Sequence, residues 1–105
     1  MYANGSRLWY VNGNLGRDGG LPAIEYHDGT KEWYRNGKLH RDGGLPAIEY
    51  YYGSKEWYRN GKRHREDGPA LTYSRFNAEW YLNGVLFKSG GELLRLIRTK
   101  LNHKL

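Results

Sequence analysis

Arg17 to Lys38 reads RDGGLPAIEYHDGTKEWYRNGK, and Arg41 to Lys62, 24 residues further on, reads RDGGLPAIEYYYGSKEWYRNGK. A chain that repeats itself at a short fixed period builds one supersecondary unit several times, and each unit buries its apolar face on its neighbours. A third, eroded copy starts at Arg65, with Asp67-Gly68-Pro69-Ala70 followed by Ala78-Glu79-Trp80-Tyr81-Leu82-Asn83-Gly84. Trp-Tyr pairs at 9, 33, 57 and 80 set the spacing at 24, 24 and 23 residues. The third unit is shorter in its Asp-Gly loop, where Asp67-Gly68-Pro69 stands for Asp42-Gly43-Gly44-Leu45-Pro46. Tyr2 to Trp9 aligns with the back half of a unit, so the array is expected to open mid-repeat and to hold about three and a half units.

Within a unit, Asp28-Gly29 and Asn36-Gly37 are strong hairpin signals. The runs between them, Pro22 to Tyr26, Lys31 to Arg35 and Lys38 to His40, are strand-length and rich in rings. Folding about Asp28-Gly29 as a two-residue loop sets Ile24 opposite Trp33, Tyr26 opposite Lys31 and Ala23 opposite Tyr34. Folding about Asn36-Gly37 sets Trp33 opposite His40 and Tyr34 opposite Leu39. Period-two alternation then places Ile24, Trp33 and His40 on one face, and Ala23, Tyr34 and Leu39 on the other. Two ladders of rings follow, one of Trp9, Trp33, Trp57 and Trp80, the other of Tyr10, Tyr34, Tyr58 and Tyr81. This register also faces Glu25 with Glu32 and Glu49 with Glu56, and like charges directly opposite are destabilising. Either a basic side chain sits between them, or the loop is bulged and the register differs.

Composition agrees with a thin sheet. Hydrophobic residues make up 38% of the 105-residue chain and mean hydropathy is −0.92, while ten Tyr and four Trp supply rings in place of an aliphatic core. There is no Cys, which excludes disulfides and thiolate chemistry and suits a reducing cytoplasm. No apolar run approaches the roughly 20 residues that span a bilayer, and the first residues lack a signal h-region. A cytoplasmic location is expected, that of the host cell if the chain is viral. The net charge of +6 favours acidic partners.

After Gly84 the periodicity changes. Ser89-Gly90-Gly91-Glu92 has the form of a capping box, and Leu93, Leu94, Ile97, Leu101 and Leu105 recur on one side of a helical wheel. The expected fold is therefore mainly β: an antiparallel β-hairpin repeat array over 1–88, closed by an amphipathic helix over 89–105. The helix has the open strand edge to cover, or else a membrane surface or partner groove to occupy.

The phrase Trp33-Tyr34-Arg35-Asn36-Gly37-Lys38-Leu39-His40-Arg41-Asp42-Gly43, and Trp57 to Gly68 after it, resembles the MORN-related repeats found in proteins of bacteriophages and large DNA viruses. The likeness covers about residues 2 to 87. It departs from the usual MORN unit in the Trp-Tyr pair and in Arg41 and Arg65, which stand where that unit has Gly. What the resemblance implies is a hairpin array that binds other proteins, and a viral origin.

Candidate chemistry narrows the function further. His40 and His64 recur one repeat apart, too far to share an ion at the strand spacing of a sheet, and are expected to pack on Trp33 and Trp57 rather than to bind metal. Glu25 with Glu32 is a carboxylate pair, but it recurs as Glu49 with Glu56 where catalysis needs a singular cleft. No nucleophile elbow or phosphate-binding loop is present, so no enzyme and no cofactor are expected. The residues expected to bind a partner are Arg35, Lys38, Arg59, Lys62, Arg63 and Arg65 around the Asn-Gly turns, with Tyr34 and Tyr58, since Tyr and Arg dominate binding hot spots. The first expectation is a protein-binding module, in its specific form a small phage-encoded inhibitor of a bacterial defence complex such as a CRISPR–Cas effector. A single-stranded nucleic-acid binder with a basic aromatic surface is the alternative, and a structural array associating through its edges the third. Oligomeric state is not set by the sequence.

Overall fold

A computed structural model describes residues 5–73 and 78–87. The helix expected over 89–105 lies outside the described residues. The opening half-unit supplies β1 (Arg7–Leu8), β2 (Tyr10–Val11) and β3 (Asn14–Leu15). The next supplies β4 (Ile24–Glu25), β5 (Lys31–Glu32), β6 (Tyr34–Arg35) and β7 (Lys38–Leu39). Its near-identical successor supplies β8 (Ile48–Glu49), β9 (Lys55–Glu56), β10 (Tyr58–Arg59) and β11 (Lys62–Arg63). The last brings β12 (Leu71–Thr72), β13 (Ala78–Leu82) and β14 (Val85–Phe87). All pairs are antiparallel: β1, β4, β5, β8, β9, β12, β13 and β14 succeed one another in one eight-stranded sheet, and the hairpins β2–β3, β6–β7 and β10–β11 stand apart from it.

The chain leaves the sheet at Trp9, Trp33 and Trp57, whereas Trp80 lies within β13 and pairs with Phe87. Trp9, Trp33 and Trp57 donate their backbone N–H to the carbonyls of Ala23, Ala47 and Ala70 in the following unit, at 2.8, 2.8 and 2.7 Å. They then accept, through their own carbonyls, the N–H of Gly16, His40 and His64 across the hairpin. Each of these three tryptophans thus serves the sheet with its donor and the hairpin with its acceptor. The hairpins close through Asn12-Gly13, Asn36-Gly37 and Asn60-Gly61, where both residues have positive φ, the primed turn whose twist matches the strands.

The register about the other loop differs from the two-residue reading by one position. Tyr26 N–H bonds the Thr30 carbonyl at 2.8 Å, Gly29 N–H bonds the Tyr26 carbonyl at 3.0 Å, and Gly29 has φ +97°. The loop is His27-Asp28-Gly29, three residues closed by a left-handed glycine. Ile24 therefore faces Glu32, and Glu25 faces Lys31; Ile48 faces Glu56, and Glu49 faces Lys55. The like-charge conflict disappears, because a one-residue slip exchanges the faces. In the last unit Leu71 faces Glu79. Across the sheet one row now reads Arg7, Glu25, Lys31, Glu49, Lys55, with alternating charge. The other reads Leu8, Ile24, Glu32, Ile48, Glu56, Leu71, Glu79. By alternation Ala23, rather than Ile24, shares the face of Trp33.

Both faces are closed by rings. On one, the guanidiniums of Arg17, Arg41 and Arg65 lie 3.7, 3.7 and 3.8 Å over the rings of Trp9, Trp33 and Trp57. Each guanidinium also donates to a proline carbonyl five or four residues on, those of Pro22, Pro46 and Pro69. The Trp33 and Trp57 indole N–H groups reach the carbonyls of Gly20 and Gly44 at 3.0 Å, and Ala23, Ala47 and Ala70 beneath are fully buried. On the other face the Glu32, Glu56 and Glu79 carboxylates accept the hydroxyls of Tyr34, Tyr58 and Tyr81 at 2.8, 2.6 and 2.8 Å, and Tyr50 also donates to Glu56. Polar atoms set among Ile24, Ile48 and Leu71 are thereby satisfied.

Candidate functional site

Successive hairpins stack tip against tip. Gly37 N–H bonds the Leu15 carbonyl at 2.9 Å, Gly61 the Leu39 carbonyl at 2.8 Å, and Gly84 the Arg63 carbonyl at 2.8 Å. His40 Nδ1 accepts the Asn60 N–H at 3.0 Å, so Nε2 carries the hydrogen and donates to Asp42 Oδ1 at 2.8 Å. His64 repeats the arrangement with Asn83 and Glu66. Both histidines are buried staples between repeats, with both ring nitrogens engaged. Burial, and then the charge of Arg59, hold the His64 pKa below its ordinary 6.5. Among the described residues no three His, Cys, Asp or Glu side chains converge to hold a metal ion.

These tips carry the cations. Arg35 and Lys38 are direct cross-strand partners beside the Asn36-Gly37 turn, and Arg59 and Lys62 are partners beside Asn60-Gly61. Such partners stand about 5 Å apart at Cβ, where like charges repel. Arg35 is relieved by Asp42 at 3.4 Å and Arg59 by Glu66 at 3.6 Å. The hydrogen bond from His40, supported by the charges of Arg35 and Arg59, keeps the Asp42 carboxyl below its ordinary pKa. Lys38 and Lys62 are exposed and form no ion pair among the described residues. The Lys38 methylenes pass over Gly61, 3.7 Å from where a Cβ would stand, and Arg35 Nη2 reaches Asn60 Oδ1 at 3.4 Å. Arg35, Lys38, Arg59 and Lys62 therefore form one patch over two stacked tips.

The other residues singled out from the sequence sit elsewhere. Arg65 is half-buried over Trp57, with Asp67 at 3.0 Å. Arg63 lies between Tyr58 and Tyr81, donating to both hydroxyls, with Glu56 at 3.7 Å. Burial opposes its charge, but the two tyrosine hydroxyls outweigh that and hold its pKa above the usual arginine value. Tyr34 and Tyr58 are half-buried, and burial, reinforced by their bonds to Glu32 and Glu56, raises both phenol pKa values. The acids Asp42 and Glu66 inside the cationic patch were not singled out. Their signal was available in Arg41-Asp42 and Arg65-Glu66, where an acid follows each loop arginine. Among the described residues no helix is long and apolar enough to cross a membrane. Comparison of the chain with protein-family models, with curated proteins and with solved structures found no match.

Proposed function

We propose that this chain is a non-enzymatic recognition module that docks on an acidic surface of a partner protein through Arg35, Lys38, Arg59 and Lys62. The observation that carries the reading is the opposition of like charges at two successive tips. The fold does not require it: the same positions hold Val11 and Asn14 in the first hairpin, and Leu82 and Val85 in the last. A charge arrangement that weakens the hairpin, kept at two adjacent tips and absent from both ends, is what an acidic partner would select. A protein suits the patch better than a polyphosphate, because Asp42 and Glu66 within it call for cations interspersed among the partner's acids, which a phosphate backbone lacks. Tyr34 and Tyr58, which base stacking would need, are tied to Glu32 and Glu56 instead. The likeness of the repeat to those of bacteriophages extends the reading to a small inhibitor that seats on a bacterial defence complex such as a CRISPR–Cas effector.

Affinity capture from bacterial lysate, with and without nuclease, tests this with the parent chain and with Lys38→Glu/Lys62→Glu. A protein retained by the parent after nuclease treatment, and lost by the charge-reversed chain, is the expected result. Retention that vanishes with nuclease would transfer the site to nucleic acid. Equal retention by both chains would remove the cationic tips from recognition.

A further inference from the structure

Beside the cationic patch lies a groove of about 400 Å³ between the Asp18–Leu21 and Asp42–Leu45 loops. Leu21 and Leu45 form its walls, Trp33 and Tyr34 line it, and Arg35 leads from it to the tips. The two leucines are 49% and 48% exposed, so neither contributes appreciably to the core. Nor does the repeat need them, since the corresponding loop of the last unit runs Asp67-Gly68-Pro69 with no leucine. Its counterpart groove, of about 340 Å³, keeps Leu45 on one side but has Glu66 and Asp67 on the other. The first groove has a leucine on each wall, with Asp18 and Asp42 at the foot of the two loops, and Arg35 in its lining is the cross-strand partner of Lys38.

We propose that this groove takes a single apolar or aromatic side chain from an extended acidic segment of the partner, whose carboxylates reach Arg35 and Lys38. This rests on the recognition reading above and names the chemistry of the partner. A ligand-sized cleft with apolar walls and a few polar groups at its mouth is the form anchor sites take, and such anchors dominate affinity. Charge complementarity sets the rest of the segment: Arg35 lines the groove and pairs across the hairpin with Lys38, so acidic residues belong on the side of the anchor that faces the tips.

Fluorescence anisotropy with the full chain tests the proposal, using a labelled hexaglutamate peptide with a central phenylalanine, the same peptide with alanine there, and a labelled oligothymidine. The phenylalanine peptide is expected to bind at least about tenfold more tightly than the alanine peptide. Leu21→Ser/Leu45→Ser should abolish that preference while leaving the circular dichroism and the alanine-peptide affinity unchanged. Equal binding of the two peptides by the parent, or a preference that survives in the serine variant, would overturn the groove assignment. So would an oligothymidine that binds more tightly than either peptide and loses affinity in the serine variant. Lys38→Glu/Lys62→Glu should weaken both peptides alike. If it does not, the cationic reading falls, and the phenylalanine preference still judges the groove by itself.

Discussion

Arg41→Ala removes a lid whose energetics can be worked from its contacts. The guanidinium lies 3.7 Å over Trp33, donates to the Pro46 carbonyl at 3.1 Å and pairs with Glu49 at 3.0 Å, with 18% of the side chain exposed. Stacking at a largely desolvated site contributes about 1–2 kcal/mol. The bond to the carbonyl adds about 1–2 kcal/mol, and the half-exposed ion pair adds at most about 1 kcal/mol. One nitrogen serves both oxygens, so the contributions overlap, and a loss of about 2–4 kcal/mol is expected. For a domain of this size that lowers the melting temperature by about 10–25 °C. Arg41→Lys keeps the charge but not the planar stack, and should recover no more than about 1 kcal/mol. Thermal melts followed by far-ultraviolet circular dichroism and tryptophan fluorescence check both. If Arg41→Ala melts within about 2 °C of the parent, or Arg41→Lys matches the parent, the guanidinium is not what holds Trp33 in place.

Three further outcomes are expected. Lys38→Glu should raise the melting temperature slightly, by the equivalent of about 0.2–1 kcal/mol, because it converts an opposed like-charge pair with Arg35 into an attractive one; a fall would show that Lys38 is there for stability. The pKa of His64 is lower in the folded chain than in the unfolded one, so the unfolded chain takes up protons first as pH falls. The stability tied to neutral His64 is full above about 6.5 and is lost as pH drops from there through the lower folded-state value; His64→Asn, whose Oδ1 can still accept the Asn83 N–H, should flatten the pH dependence of urea unfolding, and an unchanged slope would place the titration elsewhere. Tyr51 and Tyr52 are 65% and 62% exposed where the preceding unit has His27 and Asp28, whose Oδ1 accepts the Thr30 N–H at 2.9 Å. Tyr51→His/Tyr52→Asp should therefore leave stability equal or raise it by about 0.5–1 kcal/mol, and a melting temperature that falls instead would mean the exposed rings brace the loop.

How far the sequence reaches is plainest at its two kinds of turn. Asn36-Gly37 admits one short closure, the primed turn that both residues favour through positive φ, so the pairing of Tyr34 with Leu39 followed from the letters alone. The loop at Asp28-Gly29 admits two, and the glycine by itself does not distinguish a two-residue loop from a three-residue loop with a bulge. The clash between Glu25 and Glu32 marked the difficulty, but its resolution needed the neighbouring strands, which give each glutamate a lysine or a tyrosine hydroxyl. The Trp-Tyr pair and the loop arginines Arg41 and Arg65 were legible as residues and not as a unit. They meet only after the chain has turned back on itself.

The candidate site divides in the same way. Period, composition and turn residues are local properties, and they determined the repeat, the antiparallel array and the basic tips. Which cations remain available is not local. Arg65 is drawn over Trp57 across its own hairpin and Arg63 is held between Tyr58 and the next unit's Tyr81, while Lys38 and Lys62 are left facing outward. The groove between Leu21 and Leu45 likewise exists only because two loops 24 residues apart in the chain lie side by side. A repeat fixes what each unit is made of, but burial is decided between units, and the contacts that consume or spare a side chain form there.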